Sequence, residues 1–129
     1  MRAAFTAVLV ASLTTLAGCA GSPLMPKPDD TPPLYCTAGK DCETKMALAL
    51  AWVQDHCRWK LRIANDTVIT TEGPMNTTDA AFQITKRPAP GAPDGQYLID
   101  FRVGCGNMFG CVPSAGELHA SFYRSVLNQ

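Results

Sequence analysis

The sequence has no excess of charge of either sign. Its 11 Lys and Arg residues are balanced by 11 Asp and Glu residues, and charged residues make up only 17% of the chain. A nucleic-acid binder needs a basic field and an acidic tail protein needs the opposite, so both classes are excluded. Aromatic residues are sparse, at 8%, and there are only 2 histidines. No uninterrupted apolar run reaches the roughly 20 residues of a membrane-spanning helix. Internal repeats are absent. So are Cys-x-x-Cys, Gly-x-Ser-x-Gly and His-Glu-x-x-His patterns and phosphate-cradling glycine loops. The sequence therefore shows no catalytic constellation and implies no cofactor.

What is present is an apolar content of 47%, with 10 Gly, 10 Pro and 6 Cys in 129 residues. Apolar content near half can build a core, which excludes disorder along the whole chain. The length suits one domain. Six cysteines in so short a chain point to an oxidising compartment or to a metal.

The start of the chain has the layout of a secretory signal. Arg2 precedes an uncharged run of 16 residues, Ala3 to Gly18, that ends in small residues. Its last residues with the next, Leu16-Ala17-Gly18-Cys19, resemble the lipobox of bacterial lipoproteins. The resemblance implies a signal peptide over 1–18 and cleavage before Cys19. Cys19 would then carry a diacylglycerol on its thiol and an acyl chain on its new amino group. Each buried methylene contributes about 0.8 kcal/mol and stable anchoring takes more than one chain, a need that a triacylated cysteine meets. Ala20 follows the cysteine where Asp would mark retention at the inner membrane. The resemblance thus implies a lipid anchor in the outer membrane, with the rest of the chain facing the periplasm.

Residues 19–35 read as the lipidated cysteine and a tether. Pro23, Pro26, Pro28, Pro32 and Pro33 rule out helix and discourage strand, because each lacks a backbone donor and restrains its neighbour. Such a segment is an extended, semi-stiff spacer of about 3.1 Å per residue. Its last residues, Tyr35 among them, can pack on the domain.

Residues 36–129 form the expected domain. Met46, Ala49, Leu50 and Val53 fall at helical spacing within a helix expected from Asp41 to His56, with Asp41 as its cap. Trp59, Leu61 and Ile63 then alternate with Lys60 and Arg62, and Asn65-Asp66 supplies turn residues before Thr67 to Glu72, so a hairpin is expected. Alternation returns at Ala80 to Lys86 and at Gln96 to Gly104, separated by a loop rich in Pro and Gly. Ser114 and Glu117 have capping-box spacing and open a last helix with Leu118, Phe122 and Val126 on one stripe. Helix, strands, helix in that order predicts an α+β two-layer sandwich: an N-terminal helix, an antiparallel sheet of three to four strands, and a C-terminal helix.

With Cys19 assigned to lipid, five cysteines remain. Cys36 with Cys42 and Cys105 with Cys111 have the same spacing and frame short Gly-containing loops, so both are disulfide candidates. Cys57 is the remainder. Its pairing with Cys42 is excluded, because fifteen helical residues separate the two by about 22 Å. It is read as an unpaired, partly buried thiol, or else as one that takes its partner from one of the two loops. A structural zinc site needs closer cysteine pairs or paired histidines, so no metal is expected. Asp55-His56-Cys57 resembles a thiol nucleophile with its base, but sequence neighbours do not face each other. His119 could approach Cys57 from the second helix; otherwise His56 and His119 are surface or boundary residues. Cys105 to Cys111 holds Met108 and Phe109 at its tip. Exposed, they are partner-contact candidates; folded inward, they plug the core.

Met46 to Val53, Trp59 to Thr71 and Asn107 to Pro113 resemble segments of a group of small proteobacterial lipoproteins, a likeness that implies the same helix–strands–helix order and brings no activity. The function expected is that of an outer-membrane accessory lipoprotein, whose small stapled domain binds another cell-envelope protein. Two alternatives stand beside it. One is a ligand- or glycan-binding module using Trp52, Trp59 or Tyr97, and the other is a thiol-dependent enzyme using Cys57.

Overall fold

The computed structural model describes residues 24–25, 31–73 and 77–128. The expected signal peptide, Cys19 and most of the Pro-rich segment lie outside the described residues. The elements are β1 (Leu24–Met25), β2 (Leu34–Thr37), α1 (Lys40–His56), β3 (Leu61–Ala64), β4 (Val68–Thr71), β5 (Ala80–Pro88), β6 (Gln96–Cys105) and α2 (Ala115–Leu127).

The fold is α+β, with every strand pairing antiparallel. The sheet is five strands wide, against the three to four expected. Its order runs β3, β4, β5, β6, and then β1 and β2 share the far side of β6. The additional width comes from the Pro-rich approach to the domain. Leu34 to Thr37 pair with Gln96 to Ile99, and Leu24 and Met25 pair with Gly104 and Val103. Prolines around these short strands are compatible with pairing because the strands lie at the sheet edge, where a missing donor costs nothing. β2 thus begins two residues before Cys36. Within β2 it is Leu34 and Cys36 that turn into the core, while Tyr35 is 43% exposed.

Both helices cover one face of the sheet. Phe82 and Ile84 of β5, Ile99, Phe101 and Val103 of β6, and Ile69 of β4 are buried beneath Met46, Ala49, Trp52 and Val53 of α1 and Leu118, Phe122 and Val126 of α2. Trp52 is the centre of this layer. Its ring meets Phe82 at 5.0 Å and Phe101 and Phe122 each at 5.4 Å, edge to face, and His56 stacks on its outer side at 4.2 Å. Its indole N–H donates to Ser121 Oγ at 3.1 Å. That bond ties α1 to α2 and satisfies the one polar atom the ring brings inside.

The helix ends follow two different rules. Gly39, not Asp41, stands at the N-cap of α1, with φ of 91° that an L side chain adopts only with strain. The Asp41 carboxylate instead accepts the Thr37 amide at 2.7 Å and pairs with Lys45 at 3.0 Å. Those contacts, the Thr37 amide first and then Lys45, hold its carboxyl below the usual range. At α2 the expected capping box is present in both directions between Ser114 and Glu117.

Three further residues depart from the sequence reading. Leu61 and Ile63 are 37% and 47% exposed, although their alternation suggested a buried face. A bulge between them breaks the register with β4, and β3 is the edge strand, where Ala64 lines a hollow with Met46 and Leu50 of α1 while Leu61 and Ile63 stay exposed. His119, expected near the surface, is 1% exposed and packs edge-on against Phe101 at 4.8 Å.

Tyr123 of α2 is 6% exposed, and burial, with a smaller contribution from the Asp100 charge, pushes its phenol up from 10.0 to about 12. The neutral phenol is the form that the fold favours. Its contribution is therefore complete below pH 10 and is lost as pH rises towards 12. Alkaline denaturation should begin in that window, and Tyr123→Phe should move its onset upward when followed by circular dichroism.

Candidate functional site

One end of the molecule collects the features that the fold leaves unexplained. β6 ends there at Cys105, β5 starts there at Ala80, and Ala80 and Cys105 are register partners. The C-terminal end of α1 arrives through Cys57, and α2 departs from Ser114. Between β6 and α2 runs the 105–113 loop.

A disulfide closes the loop from Cys105 to Cys111, with Cα atoms 5.4 Å apart. Cys36 and Cys42 form the other disulfide, 5.0 Å apart, at the opposite end, where β2 turns into α1. Asn107 is the internal brace. Its Oδ1 accepts the Phe109 amide at 2.7 Å, and its Nδ2 donates to the carbonyls of Gly110 and Thr77. Gly110, at φ 95°, makes the reversal that brings its carbonyl back to Asn107. The Val112 amide donates to the Thr78 carbonyl at 3.0 Å. The loop is thus anchored to the strand-side segment 77–78 as well as to itself.

This bracing turns the apolar residues outward. Met108 and Phe109 are each 89% exposed, and Val112 is 70% exposed. Of the two placements open from the sequence, plug or tip, the structure has the tip. Asn107 and Val112 were missed by the sequence reading. An Asn two residues before Phe109 and a Gly three residues after the Asn form the local signal that could have singled out the brace.

The neighbouring groups are not arranged for chemistry. Cys57 is unpaired and half-buried. Its sulfur faces two backbone groups, the Trp59 amide at 3.4 Å and the Ala80 carbonyl at 3.8 Å. The adjacent His56 turns away, with Nδ1 at 2.8 Å from the Trp52 carbonyl and its ring flat on the indole. Arg58 and Asp79 approach to 3.8 Å. The hollow lined by these two with His56, Val112 and Pro113 holds about 170 Å³, and an open one lined by Thr77, Thr78, Asn107 and Phe109 holds about 480 Å³. No three potential metal ligands come together among the described residues. The three aromatics considered for a ligand groove are dispersed as well. Trp52 is 3% exposed in the core, and Tyr97 pairs with Pro88 at the end of the sheet away from Ala80 and Trp59. No helix among the described residues is long and apolar enough to cross a membrane.

Comparison with known protein families, with curated proteins and with solved structures finds no match.

Proposed function

We propose that this chain is a lipid-anchored accessory protein of the outer membrane, and that its small disulfide-stapled domain works by contact with another component of the cell envelope. The observation that carries the reading is the braced apolar tip. Met108 and Phe109 are held in solvent at 89% exposure by a disulfide and a three-way asparagine brace. A single exposed apolar side chain is ordinary. A rigidly presented group of them, beside no arrangement for chemistry among the described residues, supports a surface meant to be covered. The Leu16-Ala17-Gly18-Cys19 motif supports the anchor, and the two local disulfides suit the oxidising periplasm.

Two measurements test the reading. The wild-type protein should incorporate fatty-acid label and Cys19→Ala should not, because the substitution removes every acyl chain at once. A photo-reactive residue at position 109 should give a reproducible adduct in intact cells. Wild-type protein without fatty-acid label would remove the anchor. A folded, anchored protein with no adduct of any kind at position 109 would remove the contact function. An envelope protein is the partner expected from the sequence, and a protein adduct is the result which that expectation requires.

A further inference from the structure

The tip and the proposed anchor are at the same end of the molecule. β1 runs antiparallel to β6, with Leu24 opposite Gly104 and Met25 opposite Val103. Leu24 is therefore the end of β1 nearer Cys105 and the loop. Cys19 precedes Leu24 by five residues, which span at most about 18 Å even fully extended. β6 is 10 residues long, or roughly 30 Å at strand rise. An anchor at Cys19 thus cannot reach the other end of the sheet, and it brings the bilayer to the end that carries Met108, Phe109 and Val112.

The tip also has the chemistry that such a position requires. From Val103 to Gly116 the sequence contains no Asp, Glu, Lys, Arg or His, and the two charges that line the hollow beside Val112, Arg58 and Asp79, lie 3.8 Å from each other. Three of the backbone groups among the apolar side chains are already paired: the Phe109 amide and Gly110 carbonyl with Asn107, and the Val112 amide with Thr78. A segment entering lipid must satisfy its own backbone in this way, because the hydrocarbon supplies no partners. Size argues in the same direction. Three protruding side chains are far from the roughly 800 Å² that each side of a stable protein interface buries, but they are enough to seat a domain that a lipid already tethers.

We infer that Met108, Phe109 and Val112 form an apolar foot seated in the interfacial layer of the bilayer that holds Cys19, and that this foot fixes the orientation of the domain on the membrane. The inference rests on the proposed lipid anchor. The contact is apolar, so it is insensitive to salt and does not need anionic lipid.

The test uses the full lipidated protein in vesicles of phosphatidylethanolamine with phosphatidylglycerol. A photo-reactive residue is placed at Phe109 or, as a reference at the opposite end, at the exposed Asp94. Phospholipid adducts at position 109 should exceed those at position 94 about tenfold, the ratio expected for partial burial of a large apolar side chain. They should persist at high salt. Met108→Ser combined with Val112→Ser should lower the yield at position 109 by roughly the same factor, while the protein stays membrane-bound. Both residues are exposed, so the thermal midpoint should hold. Equal labelling at positions 109 and 94 overturns the foot and leaves the anchor standing. A protein adduct at position 109 in intact cells, in place of lipid, also overturns it and assigns the tip to an envelope protein. Loss of the wild-type protein from the membrane fraction is a different failure, that of the anchor itself.

Discussion

Trp52→Ala is expected to leave the domain largely unfolded at physiological temperature. The indole is 3% exposed and touches the rings of Phe82, Phe101 and Phe122, so it is shared by both helices and the two central strands. Truncating a buried aromatic costs about 3–5 kcal/mol through lost burial and the cavity left behind. The change also orphans Ser121 Oγ, which receives the indole N–H. A domain of this size has on the order of 5–10 kcal/mol in total, so most of its stability would go. Urea denaturation should show the midpoint falling steeply, with the slope unchanged if folding stays two-state. Trp52→Phe keeps much of the volume and should lose distinctly less. A Trp52→Ala protein with near-wild-type stability would mean that the layer between helices and sheet does not depend on this ring.

The second large effect concerns the staples. Each joins cysteines six residues apart, and closing so short a loop removes unfolded-state entropy worth about 2 kcal/mol. Losing both should therefore cost about 4–5 kcal/mol, comparable with the Trp52 truncation. Alanine is the better replacement for this test. Cys36, Cys42 and Cys111 belong to the buried core, where a serine hydroxyl would add its own desolvation cost. The two pairs should differ in their other consequences. Removing Cys36–Cys42 loosens the junction of β2 with α1, which the Thr37–Asp41 bond also holds. Removing Cys105–Cys111 frees the loop under Met108 and Phe109, leaving Asn107 as its main brace. Amide exchange in residues 105–113 should then accelerate even where global stability permits folding. If the double alanine pair at 105 and 111 exchanges like the wild type, the asparagine alone sets the loop.

Much of the fold was legible because its signals are local. The 3.6-residue spacing of Met46, Ala49, Leu50 and Val53 appears as the buried stripe of α1 in all but Leu50, which is half-buried at its margin. Ser114 and Glu117 close their capping box three residues apart, with no help from the rest of the chain. The alternation of Ile99, Phe101 and Val103 marks the central strand, because a strand covered on one face must obey a period of two. Asp41 shows the limit of such reasoning. Its type and position suited a helix cap, but the fold brings the Thr37 amide within 2.7 Å and the carboxylate serves that contact instead.

The same alternation misled at β3. Leu61 and Ile63 repeat as well as any strand, yet burial depends on whether a helix lies over them, and the edge position and the bulge deny them one. His119 failed in the other direction. A polar residue on an amphipathic helix gives no sign of its depth until α2 is docked against Phe101.

The sequence by itself determined the kinds of element, their order, the local pairing options of the cysteines and the lack of any catalytic pattern. Each of these is written within a few neighbouring residues, where spacing and backbone chemistry suffice. Only the tertiary structure decided that Met108 and Phe109 point outward, that the three aromatics share no groove, and that Leu24 lies beside Gly104 at the end of the sheet that carries the loop. Exposure and the meeting of distant segments depend on what packs against what across the whole chain, and no local period encodes that.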